Sequence, residues 1–464
     1  MTTRRLLYAV AACLVLATAS LLIADEPVYD AWAWLSWGRE LTHLELDTTT
    51  GPAWKPLTVA LAAALSLAGD AAPQLWLVLV RASWLLALVL AAELAWYLTA
   101  GRPRASRVAA AAFAVLCVVL LNDDVTPWSR QVAGGMSEPL LVALVLGAVR
   151  AGLAGRARTA LVLGALAALV RPEAFPLLAL YGLRCWRAEP RTRPLVVAAA
   201  LAVPALWLGP ELLLDAGGGA TRAQTQTSDP LKALGWAALL PLAIAWPLAL
   251  AALPDPRVRV LGAGALAWIV IVAAMTIAGF AGLPRFMAPA ATVVGVLGGV
   301  GLAALLARPR GALVALAVPA LVVTVLGLPD RVAEVPHAWR SSVRIDGSHD
   351  RLRTLVRGVG ATPLLACGRL ATSDALVRTA LAWELDVALS RVVNFGWRPA
   401  LSGAFVVGPQ ASPRLRQAVR SAATPVARQE EWTVYSIDCP ATATATATAR
   451  SSAARSAGVS GATR

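Results

Sequence analysis

Eight charged residues stand where charge is either costly or out of place, and their types define the chemistry open to the chain. Three carboxylates, Asp25, Glu26 and Asp30, lie in the stretch Asp25-Glu26-Pro27-Val28-Tyr29-Asp30, directly after the first apolar run. A carboxylate within hydrogen-bond reach of a hydroxyl can take its proton while the oxygen attacks. Lys55, one of two lysines in a chain that otherwise uses arginine, opens a Lys55-Pro56 pair. Arg130, Arg171 and Arg285 fall at ends of apolar stretches where the positive-inside bias makes arginine unexpected. Guanidinium forks suit the oxygens of an anion. Glu138, in Ser137-Glu138-Pro139, begins another apolar stretch. At that depth a carboxylate is expensive unless it is paired or faces a cavity, so it could hold a ligand hydroxyl or position an arginine. Each residue also has a plainer reading: a solvated helix terminus, a snorkelling lysine, a lipid-headgroup contact, or a structural pair such as Arg171 with Glu173.

The elements that must position these groups are membrane helices. The chain of 464 residues is 58% hydrophobic, with a mean hydropathy of +0.66, against roughly 45–50% apolar residues for a soluble domain. Stretches such as Leu261 to Gly282 carry almost no charge and exceed the roughly 20 residues a helix needs to cross hydrocarbon. A net charge of +14 would suggest nucleic acid in a soluble protein. Here the arginines cluster in short turns, a pattern that sets topology and excludes nucleic acid as a partner. Leu6 to Ile23 follows Arg4 and Arg5 and could be a signal peptide, but Asp25, Glu26 and Pro27 stand in place of a small-residue cleavage site. An uncleaved first helix fits better.

Apolar runs together with cytoplasmic Arg-rich turns predict about eleven spans, beginning inside and ending outside. They fall near 6–23, 74–99, 107–121, 137–151, 158–170, 174–187, 193–213, 233–253, 257–279, 287–306 and 311–328. The inside turns are Gly101–Arg107, Arg150–Arg158, Arg184–Arg193, Pro254–Arg259 and Arg308–Arg310. The runs at 158–170 and 174–187 are short enough to be a re-entrant pair. The large first outside loop, Ala24 to Pro73, contains Tyr29–Leu41, dense in tryptophan, and the apolar Leu57–Leu67; both read as helices lying in the interface. After Leu328 charge returns and apolar stretches shorten to strand length at Pro363–Cys367, Ala404–Val407 and Trp432–Ile437. Helix-like Asp374–Leu389 and Pro413–Ser421 lie between them. The expected division is a transmembrane catalytic domain over 1–328, a small extracytoplasmic α/β domain over 329–440, and a low-complexity, disordered tail over 441–464.

The first loop resembles that of the GT-C glycosyltransferase superfamily, especially the branch of the lipid A aminoarabinose transferases and protein O-mannosyltransferases. In that branch an Asp-Glu pair follows the first helix, as Asp25-Glu26 does here, and a Lys-Pro pair opens the second juxtamembrane helix, as Lys55-Pro56 does. Gly282-Leu283-Pro284-Arg285-Phe286 resembles a Pro-Arg-aromatic turn of the same proteins. The resemblance implies transfer of a sugar, of arabinofuranose or mannose type, from a polyprenyl-phosphate donor to an extracytoplasmic glycan, glycolipid or protein. It implies a multi-pass cell-membrane enzyme with a cytoplasmic N-terminus and an extracytoplasmic C-terminal domain. Asp25 maps to the base, with Glu26 and Asp30 next in line; Lys55, Arg171 and Arg285 map to the donor phosphate, and Arg130 and Glu138 to sugar or acceptor. No cofactor is expected, although the family admits a divalent cation beside its acidic residues.

Other signals are weaker. Gly295, Gly298, Gly299 and Gly301 lie within an apolar span and read as close helix packing. His43, His337 and His349 are scattered and form no ligand set. Asp123 and Asp124 share a loop with Arg130; Cys367 and Cys439 could pair or stay free. The alternative class is a transporter or flippase of amphiphilic lipids, which would also turn arginines toward lipid phosphates. Transporters usually carry internal repeats and charges near mid-membrane, and neither is legible here.

Overall fold

The structure, a computed structural model, describes residues 3–121, 128–213, 229–307, 311–366, 368, 370–394 and 403–437. Asp123, Asp124, Cys367, Cys439 and the tail 441–464 lie outside them. The helices are α1 (Thr3–Ala19), α2 (Tyr29–Thr42), α3 (Pro56–Ser66), α4 (Ala72–Leu98), α5 (Arg104–Val119), α6 (Trp128–Ala133), α7 (Glu138–Leu153), α8 (Ala157–Val170), α9 (Phe175–Ala188) and α10 (Arg193–Leu213). They continue as α11 (Pro230–Leu239), α12 (Ala245–Ala252), α13 (Pro256–Ile277), α14 (Ala288–Ala307), α15 (Gly311–Val359), α16 (Ala361–Ala366), α17 (Arg378–Glu384) and α18 (Pro413–Ala422). The chain is a mostly helical, multi-span membrane protein with a small C-terminal mixed sheet.

Each run expected to span is helical over most of its length, but only six described helices are long and apolar enough to cross a membrane. These are Arg4–Leu22, Gly69–Leu98, Pro190–Pro210, Pro256–Ile277, Pro284–Ala307 and Leu313–Val359. The difference from eleven has two physical sources. Helices α5 and α7 have 16 residues and α8 and α9 have 14; at 1.5 Å per residue these reach roughly 21–24 Å, short of a hydrocarbon layer of about 30 Å. The run 233–253 is interrupted between α11 and α12. At that break the carbonyls of Leu239, Leu240 and Pro241 accept hydrogen bonds from Arg331, which also reaches the Leu120 carbonyl beyond α5.

Helix α14 runs through the centre, packed against α5 and α12, with α4 bridging α5, α7 and α1. Its glycines permit this. A Cβ on Gly301 would strike the Leu248 carbonyl of α12, and one on Gly299 the Ala110 carbonyl of α5. Close backbone approach is thus what that glycine-rich stretch supplies.

Helix α2 is enclosed by protein. Trp32, Trp34 and Trp37 are at most 1% exposed and stack on Trp383, Trp76 and Trp54 at 5.9, 6.0 and 6.2 Å. The C-terminal residues cover α2, so its tryptophans meet other rings instead of lipid headgroups. Helix α15 passes without a break through 328/329 for 49 residues. The return of charge after Leu328 therefore marks a change of surroundings along one helix.

The C-terminal sheet has strands β1 (Leu370–Thr372), β2 (Val392–Asn394), β3 (Gly403–Val407), β4 (Thr424–Gln429) and β5 (Trp432–Ile437) in the order β2-β1-β3-β5-β4. β1 lies parallel to β2 and β3, whereas β5 lies antiparallel to β3 and β4. The expected strands at 404–407 and 432–437 form, as does the helix near 413–421. The expected strand at Pro363–Cys367 does not: Ala361–Ala366 is helical and the strand follows it. A five-residue apolar run does not distinguish the two.

Candidate active site

Five of the eight candidate residues converge. Proline restricts the residue before it to extended backbone, and both Lys55, before Pro56, and Arg171, before Pro172, are extended. Lys55 thereby caps α3 while its side chain runs back to α7. Its Nζ donates to Ser137 Oγ at 2.6 Å and to Glu138 Oε1 at 3.2 Å, and lies 4.7 Å from the Trp34 ring. Glu138 is fully buried in the first turn of α7, where the helix dipole favours a carboxylate. Arg171 spans the gap between α8 and α9. It donates from Nη1 to Glu138 at 3.1 Å and forks onto Glu173 through Nε and Nη2, the shortest contact being 2.8 Å. Its guanidinium lies over Phe286 at 3.4 Å.

Arg285 completes the group on the short turn Pro284–Met287. Its Nη2 is 3.9 Å from Asp30 Oδ2 and its Nε 3.7 Å from Glu138 Oε1, ion-pair distances too long for hydrogen bonds. Among the described residues Arg285 Nε finds no acceptor. Lys55, Arg171 and Arg285 thus meet Asp30, Glu138 and Glu173, but Arg285 is held loosely and the others tightly.

These groups border a cavity of about 360 Å³ lined by Asp30, Lys55, Arg171, Glu173 and Arg285 on its charged side, and by Trp207, Val272, Met275, Phe280 and Leu283 on its apolar side. A second cavity, of about 580 Å³, shares Tyr29, Asp30 and Arg285 with the first. Its remaining wall includes Glu26, Arg130, Ser341, Arg344 and His349, with Asp374 and Trp432 from the C-terminal sheet region. Asp30 and Arg285 therefore stand where two cavities meet. Burial pushes the Asp30 carboxyl above the usual aspartate range, although Arg285 and Lys55 pull it down. Burial pushes the Lys55 ammonium below its usual value, with Glu138 opposing.

Asp25, the residue first expected as the base, borders neither cavity. Its Oδ2 accepts from Gln74 Nε2 at 3.2 Å, and Asp346 of α15 hydrogen-bonds to it. Burial acts to raise its pKa, but the bonds from Asp346 and Gln74, with Arg353 and Arg81 nearby, carry it below the usual range. Such a carboxylate is a poorer proton acceptor than Asp30. Glu26 borders the second cavity but is engaged by Trp32 Nε1 at 2.9 Å, His349 Nδ1 and Arg353 Nη2. With its oxygens taken up in this way, the Asp25-Glu26 pair does not fit a divalent cation. Among the described residues no three His, Cys, Asp or Glu side chains come together as a metal set. Arg130, on α6, lines the second cavity only, and Glu138 lies behind the wall of the first.

Sequence reasoning missed the contribution of α15. His349 reads as scattered in the sequence, yet it reaches Glu26 across 323 residues of chain, a separation at which no local pattern signals the contact.

No protein-family model matches the chain, and no curated protein matches it. Among solved structures it is similar to ArnT from Cupriavidus metallidurans bound to undecaprenyl phosphate, with a TM-score of 0.55 and 18% identity, covering 94% of this chain and 98% of that one. The apo state of the same protein matches with a TM-score of 0.54 and 16% identity, over 93% and 98%. Over nearly its whole length, the chain has the fold of ArnT.

Proposed function

We propose that the chain is an inverting glycosyltransferase of the cell membrane, taking a sugar from a polyprenyl phosphate and placing it on a hydroxyl of an extracytoplasmic glycan, glycolipid or protein. The observation that carries this is Arg285, a guanidinium with an unpartnered nitrogen held beside a raised-pKa carboxylate where two cavities meet. The similarity to a protein whose structure holds undecaprenyl phosphate supports the donor class.

In this reading the donor phosphate lies in the smaller cavity against Lys55, Arg171 and Arg285, with its isoprenoid tail leaving along Val272, Met275 and Phe280. The acceptor occupies the larger cavity. Asp30 takes the hydroxyl proton, and the oxygen attacks the anomeric carbon opposite the phosphate. The bond to phosphate breaks as negative charge grows toward the three cations. Glu138 touches neither reactant; it holds the cations in place. The sugar is of arabinofuranose or mannose type. Residues 1–328 form the catalytic domain, and 329–440 an extracytoplasmic domain that walls the acceptor cavity and selects acceptors. The N-terminus is cytoplasmic.

Membranes containing the protein, offered labelled polyprenyl-phosphate sugars one at a time, should transfer or hydrolyse one of them. Folded, inserted protein inert toward every donor would overturn the reading.

A further inference from the structure

A third cavity, of about 560 Å³, lies among α7, α8, α9 and α13. Its wall is apolar, with Val149, Leu178, Val260 and Trp268 among its members, and Val260 is 67% exposed, so the groove opens sideways. The polar members are Tyr181, Arg184 and Arg257. Helix α9 begins beside Glu173, and α13 ends beside Phe280 of the 360 Å³ cavity. Arg184, near the end of α9, and Arg257, at the start of α13, therefore mark the end of the groove remote from the charge cluster. Arg257 is paired with Asp255 at 2.7 Å. Arg184 is exposed and forms no ion pair among the described residues.

We propose that this groove is a binding site for one membrane phospholipid with an anionic headgroup. Its acyl chain lies along Val149, Leu178, Val260 and Trp268, and its phosphate meets Arg184 at the edge of the hydrocarbon layer. An apolar groove open to lipid takes up hydrocarbon whatever the headgroup; the unpaired cation at one end selects charge. The rival occupant is the isoprenoid tail of a donor lipid. A tail is uncharged and has no use for Arg184, and the 360 Å³ cavity has its own apolar side.

Thermal melting of the delipidated full-length protein in detergent tests this, because a ligand that binds only the folded state raises Tm by mass action. Phosphatidylglycerol should give a saturable rise larger than that from phosphatidylcholine. Arg184→Gln, which alters an exposed side chain, should abolish the difference between the two lipids. Val260→Trp, which fills the open side, should diminish the rise from both. Polyprenyl phosphate, added separately, should still raise Tm in both variants. Equal rises from the two phospholipids in the unaltered protein, or a phosphatidylglycerol advantage that survives Arg184→Gln, would overturn the proposal. So would loss of the polyprenyl-phosphate rise in Val260→Trp, which would give the groove to the donor's tail.

Discussion

Two regions of this molecule are built from the same residue types and differ in what they leave unpaired. Around Glu138, buried carboxylates and cations meet at the edge of a cavity, and one guanidinium, Arg285, keeps an unsatisfied nitrogen. Where α15 meets the first loop, the cations are consumed, and the oxygen left over there, Asp346 Oδ1, belongs to a carboxylate that repels an anion. Glu26 takes Trp32, His349 and Arg353, and Glu384 takes Arg353 and Arg357 at 2.8 and 2.9 Å. The difference teaches that a charge cluster signals ligand binding through its incomplete member. A network whose cations are all paired joins elements; a cation left unsatisfied beside a cavity can receive an anion.

The largest effect that can break this comparison is on Asp30 and Asp25. Asp30→Asn should cut turnover by roughly 10²–10⁴-fold while leaving donor binding nearly unchanged, as for a positioned proton acceptor. Asp25→Asn should cost far less turnover; the reverse ranking would return the base to Asp25. Because the pKa of Asp30 is raised and that of Lys55 lowered, the pH-rate profile should be narrowed from both sides. Its acid limb should lie above the usual aspartate value of about 3.9 and its alkaline limb below the usual lysine value of about 10.4.

Next in size is the donor site. Arg285→Ala should weaken donor binding by about 10–100-fold, the scale of a hydrogen bond to a charged group, read by titration with polyprenyl phosphate. Unchanged affinity would mean that the loosely held cation is not the anion's partner.

The junction should respond in stability. Glu40 of α2 is buried and accepts backbone N–H groups from Leu389 and Asp47 at 3.0 and 3.1 Å. Burial lifts its pKa from 4.5 to about 7, in spite of those bonds. With the folded value above the unfolded one, its contribution is complete below pH 4.5 and is lost as pH rises through about 7. The contribution is at most about 3 kcal/mol. Glu40→Gln should flatten that part of the Tm-pH curve, whereas a slope identical to that of the unaltered protein would remove Glu40 from the junction. Smallest is Glu384→Ala, which strands two partly exposed arginines. It should lower stability by about 1–3 kcal/mol yet spare transfer to a simple acceptor; lost turnover in a folded variant would give the junction a catalytic part.

Much of the fold was legible because membrane helices announce themselves by composition. The positions of α1, α4, α13 and α14, the helix opened by Pro56, and strands β3 and β5 follow from local pattern. How many helices cross was not legible, since a run of 14 residues reads as apolar whether or not it reaches both faces. In the site, Lys55, Glu138, Arg171 and Arg285 stood out as charges in costly places, and the structure brings them together. Choosing between Asp25 and Asp30 was beyond local reading. Both lie in one short loop, and their environments are set by distant elements: Asp346 of α15 at one and the turn bearing Arg285 at the other.

Arg331 carries a consequence of its own. At a broken membrane helix, exposed carbonyls commonly coordinate a diffusible sodium ion or proton, and the occupancy of the break then follows the bulk concentration of that ion. Here the cation is tethered to α15 and placed among the carbonyls of Leu239, Leu240 and Pro241. A covalently supplied counter-ion has no binding isotherm, so the integrity of this break is uncoupled from the surrounding salt. Arg331→Ala would restore that coupling, making melting depend on sodium where the unaltered protein is indifferent to it.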